Sequence, residues 1–258
     1  MIARLYSIAH NTFREAVRDR VLYNLVFFAL LLVGGTPLFG KISIGVERVV
    51  LINLGLASIT WFGVIIAVFI GTGLVSKEID KKTLYTVLSR PVRRWEFILG
   101  KYIGLCGTLA VNTAFMVTGF YLAMFYVART FTAADARLFI AIHLIAMQFL
   151  VITAIALFFS SFTTPLFAAL FSFALFVIGS FVDDLRNFAQ ILEGASRTVA
   201  IGFSYLIPNF GLLNIVPQAA HDQSLPMGTV LTSTAYALLY VAVMLAAAIA
   251  VFERRNLK

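Results

Sequence analysis

The chain has 258 residues, is 61% hydrophobic and 12% charged, and carries a formal net charge of +8. Soluble domains usually hold about 25% charged residues, so there is too little polar surface here to cover a globule in water. Cys106 is the only cysteine, which excludes an internal disulfide framework. The fold class expected is therefore an all-α integral membrane protein.

In chain order, residues 1–20 read as an amphipathic helix. At 100° per residue Ile2, Leu5, Ala9, Phe13 and Ala16 fall on one side, and Arg4, Asn11, Arg14, Glu15 and Arg18 on the other. An apolar stripe with a basic opposite face suits the membrane interface. The scattered charges, the long apolar run that follows and the missing small-residue cleavage site argue against a cleavable signal peptide.

Six stretches reach the roughly 20 apolar residues that a membrane-crossing helix needs. They are 21–40, 51–75, 97–127, 138–160, 163–182 and 229–252. The third is longer than required and should tilt or project. Only Ser161 and Phe162 join the fourth to the fifth, which Pro165 opens, so these two should form a tight antiparallel pair. The long connections are 76–96 and 183–228.

The first connection begins a dense island of charge. "SKEIDKKTLYTVLSRPVRRWEFILGK", Ser76–Lys101, holds ten of the chain's 32 charged residues. Within it Ile79, Thr83, Leu84, Val87 and Leu88 recur at helical spacing, and Glu78 can pair with Lys81 and Lys82. A short helix is predicted over 77–88. Arg90 precedes Pro91, which disfavours helix at Arg90 and ends that segment, while Pro91 suits the first position of the next. Trp95 fits an interface position, and Gly100-x-x-x-Gly104 permits close helix contact in lipid.

Lysine and arginine orient the chain. Fourteen of the 20 lie in the N-terminal segment, in 76–101 and at the C-terminus, and six on the other side, while the acids divide evenly. Both termini are expected in the cytoplasm. The excess positive charge then faces anionic lipid and cytosolic partners, not nucleic acid.

The second long connection carries Asp183, Asp184, Arg186, Glu193 and Arg197, then the apolar Phe203–Val216 with Pro208 and Pro217. Apolar residues between prolines outside a span suggest short re-entrant or interfacial helices. Inside the spans the polar positions are few. Asn53, Thr60, Asn112, His143 and Gln148, with Phe173 on the fifth span, are candidates for lining a path. So few charges disfavour a hydrophilic ion channel.

Catalytic readings find little support. No G-x-x-x-x-G-K-[ST] is present, and Gly100-Lys101 lacks its upstream glycine. His10, His143 and His221 lie in three different regions, so no metal site is expected. Gly194-Ala195-Ser196 offers a serine, but in a polar external link, and the last span has no histidine to act as its base.

"SKEIDKKTLYTVLSRPVRRWEFILGKYIG" is similar to the segment after the second span in permease subunits of type-2 ABC exporters. The shared features are the acidic turn (Glu78, Asp80), Thr83-Leu84, "LSRPVRR" and Gly100-Lys101. "YLIPNFGLLNIVPQ", Tyr205–Gln218, also looks like that family's external segment, and the layout matches along the whole chain. The resemblance implies a single permease domain in a bacterial or archaeal inner membrane. It implies that Glu78, Asp80, Lys81, Lys82, Thr83 and Leu84 form a coupling helix docked in a cleft of a separate ATP-hydrolysing subunit. Residues 1–20, with Arg4, Arg14 and Arg18, would be the connecting helix beside that subunit.

Two ATPase subunits would hold ATP and magnesium, leaving this chain non-catalytic and without a cofactor of its own. A second permease copy, identical or related, would face it across a path between spans 2 and 5. The cargo expected is lipid-like, amphipathic or related to enzyme maturation. In compact size the chain resembles the branch linked to multi-copper enzyme (nitrous-oxide reductase) maturation, where a periplasmic protein meets the external face. Residues 183–228 would be that meeting place here, although no external methionine or cysteine cluster supports copper as cargo. The alternative is a non-transporting membrane subunit that passes ATPase motion to a periplasmic partner.

Overall fold

The structure is a computed structural model that describes residues 2–18, 47–80, 93–128, 133–221, 223 and 226–254. The expected first span, 21–40, lies outside the described residues, as do Lys81, Lys82, Thr83 and Leu84. Everything regular among the described residues is helical. The elements are α1 (Ile2–Arg18), α2 (Glu47–Asp80), α3 (Arg94–Ala128), α4 (Ala133–Ser160), α5 (Pro165–Ser180), α6 (Val182–Ala189), α7 (Gly194–Leu206), a 3₁₀ turn (Gly211–Leu213), α8 (Val216–Ala220) and α9 (Met227–Arg254).

Among the described residues four helices, α2, α3, α4 and α9, are long and apolar enough to cross a membrane, or up to six if each bent pair is one span. The chain is a multi-pass membrane protein. The expected fifth span is modified. α5 has only 16 residues and bends by 51° into α6. Its start follows the local sequence. Thr164 is extended at the N-cap and Pro165 sits in the first turn, where its missing N–H costs nothing. The turn before it is closed by Thr163 N–H donating to the Phe159 carbonyl at 2.9 Å. The connection before α9 also bends, by 47° between α7 and Gly211–Ala220.

Of the helix expected over 77–88, only 77–80 are among the described residues, and there α2 runs unbroken from the second span through Asp80. Ser76 to Asp80 contains no glycine or proline, so nothing stops the helix where the hydrophobicity falls. At 34 residues α2 is about 50 Å long, well beyond the hydrocarbon core.

α4 is the central post. Val151 through Leu157 are all buried, as expected of a helix that is apolar on every side. α2, α3, α5 and α9 pack around it. Small residues on α2 set the distances. Gly55 lies against Phe120 of α3, Gly63 against Phe149 of α4 and Gly71 against Ala156 of α4, each with no room for a Cβ. Close packing of this kind gains the dispersion contacts that hold helices together in lipid, where no hydrophobic driving force does so.

Both described ends of the chain lie at one end of the bundle. α1 packs on the first turns of α3, and Phe252 of α9 stacks on Phe97 of α3. The starts of α2 and α4 meet at the opposite end, where Arg48 pairs with Asp135.

Candidate functional site

The end that carries the termini is built around the start of α3. Glu96 is buried, and one of its carboxylate oxygens accepts the Arg93 backbone N–H at 3.1 Å. This is the return half of a capping box, and it also sets an acid at a helix N-terminus. Arg94 reaches the other way. Its guanidinium donates to the Phe252 carbonyl at 2.8 Å and the Glu253 carbonyl at 3.0 Å, closing the last turn of α9. A cation at a helix C-terminus satisfies carbonyls that have no intrahelical donor. Phe97 and Phe252 stack beside it with centroids 5.8 Å apart. One turn on, Lys101 is buried with Nζ 5.2 Å from the centre of the Phe97 ring.

α1 sits on the next two turns of α3. A Cβ at Gly100 would lie 2.8 Å from Ile8 Cγ2, and one at Gly104 would lie 2.5 Å from the Ala9 carbonyl oxygen. Phe13 lies against Gly107. The Gly100/Gly104 spacing therefore seats a helix, and the helix is the amphipathic N-terminal one. Its apolar stripe was expected to rest in the membrane interface; in the structure Thr12 and Ala16 are buried as it packs on α3. Arg14 and Glu15 are exposed on the far side, while the side chains of Arg4 and Arg18 lie outside the described residues.

Of the predicted docking residues, Glu78 and Asp80 belong to the last turn of α2, with side chains outside the described residues. α2 is tied to its neighbour just before that turn. Ser160 at the end of α4 donates its hydroxyl to the Thr72 carbonyl at 3.2 Å.

The six candidate path residues do not meet in one cavity. Asn53 and Thr60 share a face of α2, seven residues apart, and donate to their own helix, at the Val49 and Leu56 carbonyls. Trp61 beside them meets α5, with ring centroids 6.4 Å from Phe173 and 5.6 Å from Phe176. Asn112 and Gln148 are buried in the bundle, and neither side-chain oxygen accepts a hydrogen bond. His143 Nε2 lies 3.1 Å from the Thr234 hydroxyl, joining α4 to α9. A separate apolar groove of about 930 Å³ opens between α3 and α4, lined by residues that include Cys106, Ala110, Ala114, Thr118, Phe139 and Ile142, and by none of the six candidates.

At the opposite end, residues 182–221 are folded back onto the spans. Asn209 is buried. Its side-chain amide donates to Asp183 Oδ1 at 2.6 Å, and its backbone N–H donates to the Tyr236 hydroxyl at 2.8 Å. Ser233 of α9 donates to the Leu212 carbonyl at 2.9 Å. Gly179 at the end of α5 lies against the Pro208 carbonyl and the Phe210 ring, and its own carbonyl accepts the Phe210 N–H at 3.0 Å. The run "IPNFGLLN" is thus a knot joining α5, α6 and α9. The polar α6 contributes Arg186, whose guanidinium donates to the Ser204 carbonyl on α7 at 3.4 Å.

Sequence reading missed the Arg94 clamp, the Arg48–Asp135 pair and the small-residue row on α2. Only the last had a local signal, the eight-residue spacing of Gly55, Gly63 and Gly71.

The family described as ABC-2 family transporter protein matches residues 6–257 of the chain. No curated protein matches it.

Proposed function

The chain belongs to the ABC-2 family of transporter proteins, and from that premise we propose that it is an export permease driven through the segment between α2 and α3. Family membership makes it the membrane subunit of an ABC transporter, working with ABC ATPase subunits. The observation that supports the finer reading is the continuity of α2. The helix carries on into the start of the charged segment as far as Asp80, so a push on Glu78 or Asp80 acts on a membrane-crossing rod rather than on a slack loop. The segment returns into α3, whose first turns are bolted to α1 and α9. Charged groups on a protein face register and steer a partner. The excess of Lys and Arg at this end supports a cytoplasmic position for it, where two ATPase subunits would dock and hold ATP and magnesium.

In this reading a second permease copy completes the path, which lies against the α2–α5 seam. Asn53 and Thr60 supply partly buried polar groups there, and Trp61, Phe173 and Phe176 an aromatic wall. Such a wall with few charges suits a lipid-like, amphipathic or maturation-related cargo. The second reading, a mechanical subunit that moves a periplasmic partner, draws support from the external knot. Asn209 links Asp183 to Tyr236, so displacement of α9 is delivered to the outer surface.

Two experiments test these readings. Residues 77–88 are deleted, and separately Glu78→Lys is combined with Lys82→Glu. Both variants should insert into the membrane and lose co-purification with the ATPase; unchanged co-purification of the deletion variant refutes the docking assignment. In liposomes holding the whole complex, ATP-dependent flux of a labelled amphiphile supports export. Hydrolysis with no flux across a lipid and amphiphile panel favours the mechanical reading.

A further inference from the structure

We propose that the groove between α3 and α4, with His143 on its rim, binds one long-chain amphiphile whose polar group is an uncharged hydroxyl. The groove is a braced gap. At its outer end the Tyr121 hydroxyl donates to the Asp135 carbonyl at 3.0 Å, and at its inner end the Tyr102 hydroxyl donates to the Leu150 carbonyl at 3.2 Å. Between these braces Ala110, Ala114 and Ala146 face the gap with nothing larger than a methyl group, and about 930 Å³ is left open. That volume falls in the range of small-molecule sites. Along α4 the lining runs from Phe139 to Leu150, roughly 16 Å, which is about the depth of one leaflet of a 30 Å hydrocarbon core. The walls are almost wholly carbon, and the Thr118 hydroxyl among them donates back to the Ala114 carbonyl at 2.8 Å. A gap so lined stays dry, and an alkyl chain supplies the contacts that its walls otherwise lack.

His143 supplies the polar end. It follows Ile142 on α4 and lies between Phe139 at i−4 and Ala146 at i+3, and all three of these line the groove. Residues three and four apart are neighbours on a helix surface, so His143 stands on the rim, where it is exposed. Its ring leans to α9, with Nε2 3.1 Å from the Thr234 hydroxyl. That hydroxyl has one proton, and it goes to the Val230 carbonyl at 2.8 Å. Nε2–H therefore donates to Thr234 Oγ1, and in the neutral ring Nδ1 is left as a bare acceptor. His143 is about 12 Å along α4 from Asp135, below the headgroups, where a polar atom without a partner is costly. Its complement is a donor. A hydroxyl fits, an ester or ether oxygen has no proton to give, and a charged group is disfavoured at that depth. The site shares no residue with the α2–α5 seam, and the inference does not rest on the seam's role.

The test uses the unaltered full chain with its ATPase subunit in phosphatidylcholine nanodiscs. The probes are hexadecanol carrying a diazirine near the far end of its chain, and the methyl ether of the same molecule. After illumination, labelled peptides are identified by mass spectrometry. The alcohol should label residues 106–125 and 139–150 saturably and be displaced by plain hexadecanol. It should exceed the ether by roughly two- to ten-fold, the effect of one hydrogen bond. His143→Phe should bring the alcohol down to the level of the ether and leave the ether unchanged, while Ala114→Trp should remove both signals. Equal or non-saturable labelling by the two probes in the unaltered chain overturns the proposal and leaves the groove to ordinary phospholipid chains. Failure of both probes to label the groove overturns it as well, and so does a preference for the alcohol that survives His143→Phe.

Discussion

Replacing Gly104 by leucine tests the seat of α1 directly. A Cβ there would lie 2.5 Å from the Ala9 carbonyl oxygen and 2.7 Å from Thr12 Cβ, whereas ordinary contact begins at 3.4 Å. Neither obstacle is the free end of a flexible side chain, so α1 must move away by about 1 Å or more before the rest of the leucine is placed. Overpacking of this kind costs about 1–3 kcal/mol. If that cost falls on the docking of α1, its undocked population rises by roughly five- to 150-fold. Thr12 is 3% exposed and serves as the reporter. In a Cys106→Ala background, Thr12→Cys should react slowly with a water-soluble maleimide and faster by that factor once Gly104→Leu is added. Gly73→Ala is the matched control, since no described atom lies within 4 Å of a Cβ at that site. An unchanged labelling rate in a variant that still inserts would refute the helix seat.

Gly63→Val should destabilise the bundle by about 1–3 kcal/mol, because its Cβ meets the Phe149 ring, and Phe149→Leu should recover part of the loss in a detergent thermal melt. Arg48→Ala should lower that melt more than Arg48→Ala combined with Asp135→Ala, because the single change leaves a carboxylate with only 4% of its side chain exposed and without this cation. Tyr236→Phe removes the acceptor of the Asn209 N–H and should cost about 1–3 kcal/mol, read as faster proteolysis between residues 190 and 226. Arg94→Ala should leave insertion intact and free the C-terminus, read as faster carboxypeptidase trimming into α9.

What was legible in the sequence followed from local periodicity. The apolar stripe of α1 stands on a 100° pattern, and the structure lays it on α3. The Gly100/Gly104 pair was visible as a close-contact signal, although its partner was not. Where the apolar stretch ends near residue 75 the helix does not, because Ser76–Asp80 contains no residue that stops one, and hydrophobicity alone marks only the membrane-crossing part of it. The bonds that lock the bundle were beyond any local pattern. Arg94 and Phe252 are 158 positions apart, and Arg48 and Asp135 are 87 apart. Polar residues inside spans were the least informative. Thr60 turns back to its own helix at Leu56 while His143 reaches Thr234 on another, and nothing in their flanking residues separates the two outcomes.

The length of α2 turns its glycine contacts into a fulcrum. Gly63, pressed on Phe149, stands 16 residues from Glu47 and 17 from Asp80. At 1.5 Å per residue these are arms of about 24 and 26 Å. A stiff rod tilting about that point swings its two tips by nearly equal amounts in opposite directions. A shift of about 3 Å imposed at Asp80 arrives at Arg48 as a shift of about 3 Å the other way, enough to pull the guanidinium off Asp135, since an ion pair held at hydrogen-bond distance is lost over a movement of that size. Such a tilt would also have to open the Gly55–Phe120 and Gly71–Ala156 contacts on either side of Gly63, so the far-end pair would yield only together with them.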